Sequence, residues 1–125
     1  METVPELDAS NWEREVLEFH GLIVVDFWHV QCPWCRVLNP IFEEVAKEYK
    51  GKIRFAKLNV LTNSDNREIA VHYGVMGTPT LVFFCDGRPL GALVGFRPKE
   101  HLKHVLEDML QKYRECIEQS TELKS

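Results

Sequence analysis

Cysteine is scarce in this chain, with four among 125 residues. That is too few for a miniprotein built on disulfides. A strong charge of one sign is also missing. Fifteen Lys and Arg stand against 19 Asp and Glu, a formal net charge of −4, and no Lys/Arg cluster occurs. A broad basic footprint for nucleic acid is therefore excluded. Long apolar runs are absent, and Leu22 to Val25 is far too short to span a bilayer. The segment Met-Glu-Thr-Val-Pro-Glu at the start is acidic and lacks the basic-then-apolar layout of a signal peptide. A cytoplasmic protein with neither membrane nor nucleic-acid partner is expected. There is no repeat, low-complexity tract or linker. With 45% hydrophobic and 27% charged residues, the composition is that of one ordinary folded domain.

The apolar spacing predicts an alternation of helices and strands. Ser10-Asn-Trp-Glu13 has capping-box spacing and predicts a helix to about His20, carrying Trp12, Val16, Leu17 and Phe19 and ended by Gly21. Leu22 to Trp28 is apolar on both faces, as a central strand covered on both sides must be. Beyond Cys35, residues Val37, Leu38, Ile41, Phe42, Val45, Ala46 and Tyr49 mark a helical face, with Pro40 as a kink and Gly51 as the stop. Ile53 to Val60 reads as a strand. Asn63-Ser64-Asp65 opens a short helix holding Ile69, Ala70 and Tyr73, closed by Gly74. Thr80 to Cys85 and Pro89 to Val94 form a hairpin across Asp86-Gly87. Pro98 opens a last helix with Leu102, Val105, Leu106, Met109, Leu110 and Tyr113 inward. A short first strand over Thr3 to Leu7 is restricted to a sheet edge by Pro5. The expected class is α/β, a central mixed sheet of four to five strands with helices on both faces. Residues 1–110 form the domain, and 111–125 a polar helical extension that is solvated or contacts a partner.

Two cysteines carry the chemistry. Cys32-Pro-Trp-Cys35 follows the buried strand and opens a helix. Unpaired amides at a helix N-terminus stabilise a thiolate, so Cys32 becomes a nucleophile near neutral pH. A second sulfur three residues on can close a disulfide within the first turn and resolve a mixed disulfide. Two other readings exist for such a pair. One is a pair of buried structural thiols. The other is zinc, which needs about four ligands, whereas a single Cys-x-x-Cys occurs with no His-x-x-x-His beside it. Asp26 stands between Val25 and Phe27. A carboxylate buried there has its pKa raised toward neutrality, where it can serve as a base; facing outward, it is an ordinary strand residue.

These motifs together resemble the thioredoxin family. Val25-Asp-Phe-Trp28 before Cys32-x-x-Cys35 is similar to its strand and active site. Pro40 resembles its helix kink, Ala56-Lys-Leu-Asn59 its third strand, and Tyr73-Gly-Val-Met-Gly-Thr-Pro-Thr80 the segment bearing its cis-proline. Gly87 and Gly95 match two further glycines, and the likeness spans about residues 8 to 110. The resemblance implies the thioredoxin fold and a thiol–disulfide oxidoreductase that reduces protein disulfides. It implies that Cys32 attacks, Cys35 resolves, Asp26 takes the proton from Cys35, and Lys57 lies near that acid. It implies a cis Pro79 facing the disulfide, with Trp28, Pro33, Trp34, Met76, Gly77, Thr78, Gly95 and Phe96 forming the substrate-binding rim. It further implies a separate reductase, flavin- or ferredoxin-dependent, with no cofactor or metal held by the chain, which acts as a monomer. An oxidase or isomerase of protein disulfides, and a binding module with little redox role, are the alternatives. The chain departs from the family at Pro33-Trp34, where Gly-Pro is common, and at Gln31 and His29.

Cys85 and Cys116 are expected to remain free thiols. From Pro98 to Cys116 a helix covers about 27 Å, and from Thr80 to Cys85 a strand covers about 17 Å. Cys116 should then overshoot its neighbour at the end of the domain away from Cys32, beyond the roughly 7 Å between Cα atoms that a disulfide allows.

Overall fold

The computed structural model describes residues 4–124, with side chains to residue 118. Its sheet has five strands: β1 (Glu6–Leu7), β2 (Leu22–Trp28), β3 (Arg54–Asn59), β4 (Thr80–Cys85) and β5 (Arg88–Val94). They lie in the order β1-β3-β2-β4-β5. The β1–β3 and β3–β2 pairs are parallel, and the β2–β4 and β4–β5 pairs antiparallel. Three helices join them: α1 (Pro33–Glu48), α2 (Ser64–His72) and α3 (Lys99–Lys124). Among the described residues no helix is long and apolar enough to cross a membrane.

β2 sits at the centre because it buries both faces, and successive side chains alternate between them. Leu22 and Val24 join Leu38, Phe42, Val45, Leu81, Phe83, Leu102 and Leu106 in the core under α1 and α3. Ile23, Val25 and Phe27 join Trp12, Val16, Ala56, Leu58, Ala70 and Phe84 in the core on the other side. Asp26 shares the parity of Leu22 and Val24, so it faces α1. At the edge, β1 is short and its partner is the parallel β3, with Lys57 N–H donating to the Pro5 carbonyl at 3.0 Å. Of the first strand expected from Thr3 to Leu7, Thr3 lies outside the described residues. The hairpin turns at Asp86 (φ 48°) and Gly87 (φ 83°), the left-handed pair that a two-residue turn requires. Gly87 has a second constraint, since a Cβ there would strike the Leu17 carbonyl.

Three expectations need correction. Ser10 does not cap a helix. Its N–H and its hydroxyl donate to Asp8 Oδ1 at 2.8 and 2.5 Å, and Asp8 N–H donates to Asn11 Oδ1 at 2.9 Å. The charged carboxylate is the stronger acceptor and gathers both Ser10 donors into a turn. A single π-helical turn, Glu13–Leu17, replaces the longer helix, and it has no side-chain cap. Val37 is 46% exposed rather than inward. It neighbours Leu38, and adjacent helical residues point about 100° apart, so only one of them faces the sheet.

The third correction concerns Cys85 and Cys116, which form a disulfide with Cα atoms 6.8 Å apart. The expected overshoot took α3 to start level with Thr80. In fact the helix begins beyond the strand ends, after the segment 95–98. Met109 lies over Gly91, the partner of Phe83. From that level, Met109 to Cys116 covers about 10 Å of helix and Phe83 to Cys85 about 7 Å of strand, which brings the sulfurs together. α3 runs unbroken across position 110, and Tyr113 packs on the core.

The bridge closes a sequence separation of 31 residues. Chain-entropy estimates assign roughly 3–4 kcal/mol to such a loop. A Cys85→Ala, Cys116→Ser variant should lose stability toward that amount, seen as a lower urea midpoint under non-reducing conditions. An unchanged midpoint would show that the bridge does not constrain the chain.

Candidate active site

β2 ends at Trp28, and a four-residue loop leads to α1. Cys32 is the N-cap residue, with extended backbone (φ −94°, ψ 109°), and its Sγ accepts the Cys35 N–H at 3.2 Å. Pro33 follows at the first helical position, where its missing N–H costs nothing. The exposed Trp34 lies over Phe96, ring centroids 5.2 Å apart. Cys32 and Cys35 are joined in a disulfide, Cα atoms 5.2 Å apart. As whole residues they are 5% and 2% exposed. Solvent access therefore separates them little, and the amide pointing at the Cys32 sulfur is the larger distinction.

The second wall is the 75–79 segment. The Thr78–Pro79 peptide is cis. The Thr78 carbonyl oxygen lies 3.5 Å from Cys32 Sγ. Gly95 N–H donates to the Pro79 carbonyl at 2.8 Å, and the Thr80 hydroxyl donates to the Gly77 carbonyl at 2.6 Å, so this loop is tied on both sides. Met76 is 99% exposed and Gly77 is exposed beside it. Cys32, Cys35, Thr78 and Pro79 thus converge, with Trp34, Gly95 and Phe96 around them. Met76 projects from the same loop without packing on the disulfide.

Beneath α1 lies Asp26, 2% exposed, with Oδ1 lacking any hydrogen-bond partner. Burial pushes its pKa up to about 7, against a smaller lowering by Lys57 and a further raising by Glu6. Lys57 is its register partner on β3. The ammonium is 3.5 Å from Asn39 Oδ1 and 5.1 Å from the centre of the Trp28 ring. Cys35 lies on the buried side of α1, the helix whose Leu38, Phe42 and Val45 pack with Leu22 and Val24 on the face of β2 that also carries Asp26.

The thioredoxin family model matches residues 3–108. The chain is 43% identical over 89 residues to a thioredoxin of Alicyclobacillus acidocaldarius, covering 71% of this chain and 82% of the relative. It is 43% identical over 90 residues to a thioredoxin of Staphylococcus aureus, covering 72% and 84%. This chain belongs to the thioredoxin family. It is a thiol–disulfide oxidoreductase.

Within the family frame, three site-shaping residues carried no signal in the sequence. Arg36 donates from Nε and Nη2 to the Val30 carbonyl at 3.1 and 2.8 Å, holding the loop before Cys32. Asn66, 1% exposed, accepts from Ala9 N–H and donates to the Asn59 carbonyl, tying the 8–11 turn to β3. Glu6 accepts from the Trp28 indole N–H. Each works through a partner distant in sequence or through a backbone carbonyl, which no local motif reveals. His29, a departure from the family pattern, is half-buried with an unpartnered Nδ1, and its carbonyl accepts the Cys32 N–H at 3.3 Å.

The raised Asp26 pKa fixes a sign. Folded Asp26 holds its proton to about pH 7, whereas in the unfolded chain it loses it near 4. Between these limits the folded state binds more protons, so this group's contribution to stability is intact below pH 4 and lost as pH rises through 7. Asp26→Asn should stabilise the oxidised protein by about 2–4 kcal/mol at pH 8, with the gain vanishing toward pH 4. Urea midpoints of both proteins across this range check it, and parallel curves would remove the buried charge from the account.

Proposed function

We propose that the chain reduces disulfides in proteins, with Cys32 as nucleophile, Cys35 as resolving thiol and Asp26 as the acceptor of the Cys35 proton. The observation that carries this reading is the Cys32–Cys35 pair at the N-terminus of α1, above a buried carboxylate whose Oδ1 has no partner. The Cys32 thiolate attacks one substrate sulfur. The substrate bond breaks, and its second sulfur leaves with the electron pair and takes a proton. Asp26 then accepts the Cys35 proton, and the Cys35 thiolate attacks Cys32 Sγ. The mixed disulfide breaks, the Cys32–Cys35 bond forms, and the second substrate thiol departs. Two electrons have passed to the substrate.

A substrate segment would lie extended beside Thr78 and Pro79, using backbone groups there for register. Trp34, Phe96 and Met76 offer apolar surface for its side chains, and Pro33, Gly77 and Gly95 leave room for its backbone. Trp28 and Lys57 complete the floor beside Asp26. A separate reductase, flavin- or ferredoxin-dependent, returns the two electrons to the chain, which acts as a monomer in the cytoplasm. Residues 1–110 do this work, and 111–125 form an extension to it.

Cys35→Ser should accumulate a mixed disulfide with a disulfide-containing protein such as insulin, linked through Cys32 and resolved by mass spectrometry. Cys32→Ser should trap none. Equal trapping by both variants would reverse or erase the assigned division of labour.

A further inference from the structure

Three charged residues stand abreast on adjacent strands. Glu6 on β1 is the register partner of Lys57 on β3, and Lys57 is the register partner of Asp26 on β2. Directly paired residues share a face, so all three lie on the side covered by α1, running from the exposed sheet edge to the core. Glu6 is held in place: Oε1 and Oε2 accept the Trp28 indole N–H at 3.1 and 3.2 Å, and Oε2 also accepts the Asn59 N–H at 2.9 Å. Trp28 lies two residues after Asp26 on the same face of β2, with Lys57 over its ring.

We propose that Glu6 is a positioning residue for the exchange reaction, standing on the far side of Lys57 from Asp26, where its negative charge offsets the field of the lysine at the buried acid. The proposal rests on the reading of Asp26 as proton acceptor. A lone ammonium beside Asp26 favours the carboxylate, whereas a carboxylate on its other side offsets that field. Strand spacing places the Glu6 and Asp26 backbones about 10 Å apart, close to the screening length of about 8–10 Å near physiological salt, and the buried end of the row is screened less than bulk water would screen it.

Among the described residues no other charge faces Asp26. Opposite it on β4 is Leu81. α1 presents Cys35, Leu38 and Phe42 to this face, with Asn39 turned to Lys57. α3 presents Leu102 and Leu106, while its Lys99, Lys103 and Glu107 engage Glu44, Glu48 and Tyr49. The same two neighbours, Lys57 lowering and Glu6 raising, act on the Asp26 titration.

The test is a carboxyl NMR titration of Asp26 in the oxidised protein, which needs no turnover. Glu6→Gln should lower the midpoint by on the order of half a unit. Lys57→Met should raise it, and Glu6→Asp, which keeps the charge at this exposed position, should leave it near wild type. A midpoint unchanged or raised in Glu6→Gln, with far-UV circular dichroism and the urea midpoint reporting a native fold, overturns the proposal. The pH profile of insulin reduction is measured alongside. A profile that moves down with the titration supports both readings. A titration that moves while the profile stays overturns Asp26 as acceptor and leaves the coupling to Glu6 standing.

Discussion

The structure depends on the enclosure of β2. It is paired on both edges and covered on both faces, so water reaches it nowhere along Leu22 to Phe27. Such a strand is apolar by necessity, and a carboxylate in it is expensive to ionise. Asp26 is the one ionisable residue in that stretch. Its raised titration follows first from the same burial that holds the sheet together, with Lys57 and Glu6 as smaller influences from the neighbouring strands.

The end of that strand sets the rest of the site. Trp28 closes β2, and Pro33 forces the chain into a helix whose N-terminal amides meet the Cys32 sulfur. The cis Thr78–Pro79 bond turns the entrance of β4 so that a carbonyl faces that sulfur. The β2–β4 pairing places both features at one end of the sheet. The opposite end holds the Asp86-Gly87 turn and the Cys85–Cys116 bridge, with the Arg88 guanidinium 3.2 Å from Cys116 Sγ. The two disulfides lie at opposite ends of β4 and share no residue. One sits on a helix terminus beside a loop open to a partner. The other anchors the last helix to a strand end.

Much of the fold was legible because it rests on local rules. Continuous apolar runs marked β2 and β4, helical spacings marked α1 and α3, and the Asp86-Gly87 turn announced its hairpin. The Cys32–Cys35 pair and Asp26 were legible because their chemistry depends on neighbours in sequence: a strand before, a helix after, apolar residues on both sides. The Ser10 capping box failed for a local reason too, since Asp8 competes for the same serine and only geometry decides between them.

What tertiary structure alone decided are relations between distant segments. The sequence by itself determined the main strands β2 to β5 and helices α1 to α3 to within a residue or two at their ends, where the reactive sulfurs stand, and that Asp26 would be costly to ionise if buried. It did not determine the level at which α3 crosses the sheet, and so not the Cys85–Cys116 bond. That level depends on where the 95–98 segment releases the helix and on Met109 settling over Gly91. Nor did it determine that Glu6, Lys57 and Asp26 would form one row. Strand register is a property of paired backbones, and a shift of a single residue would have turned Glu6 to the other face of the sheet.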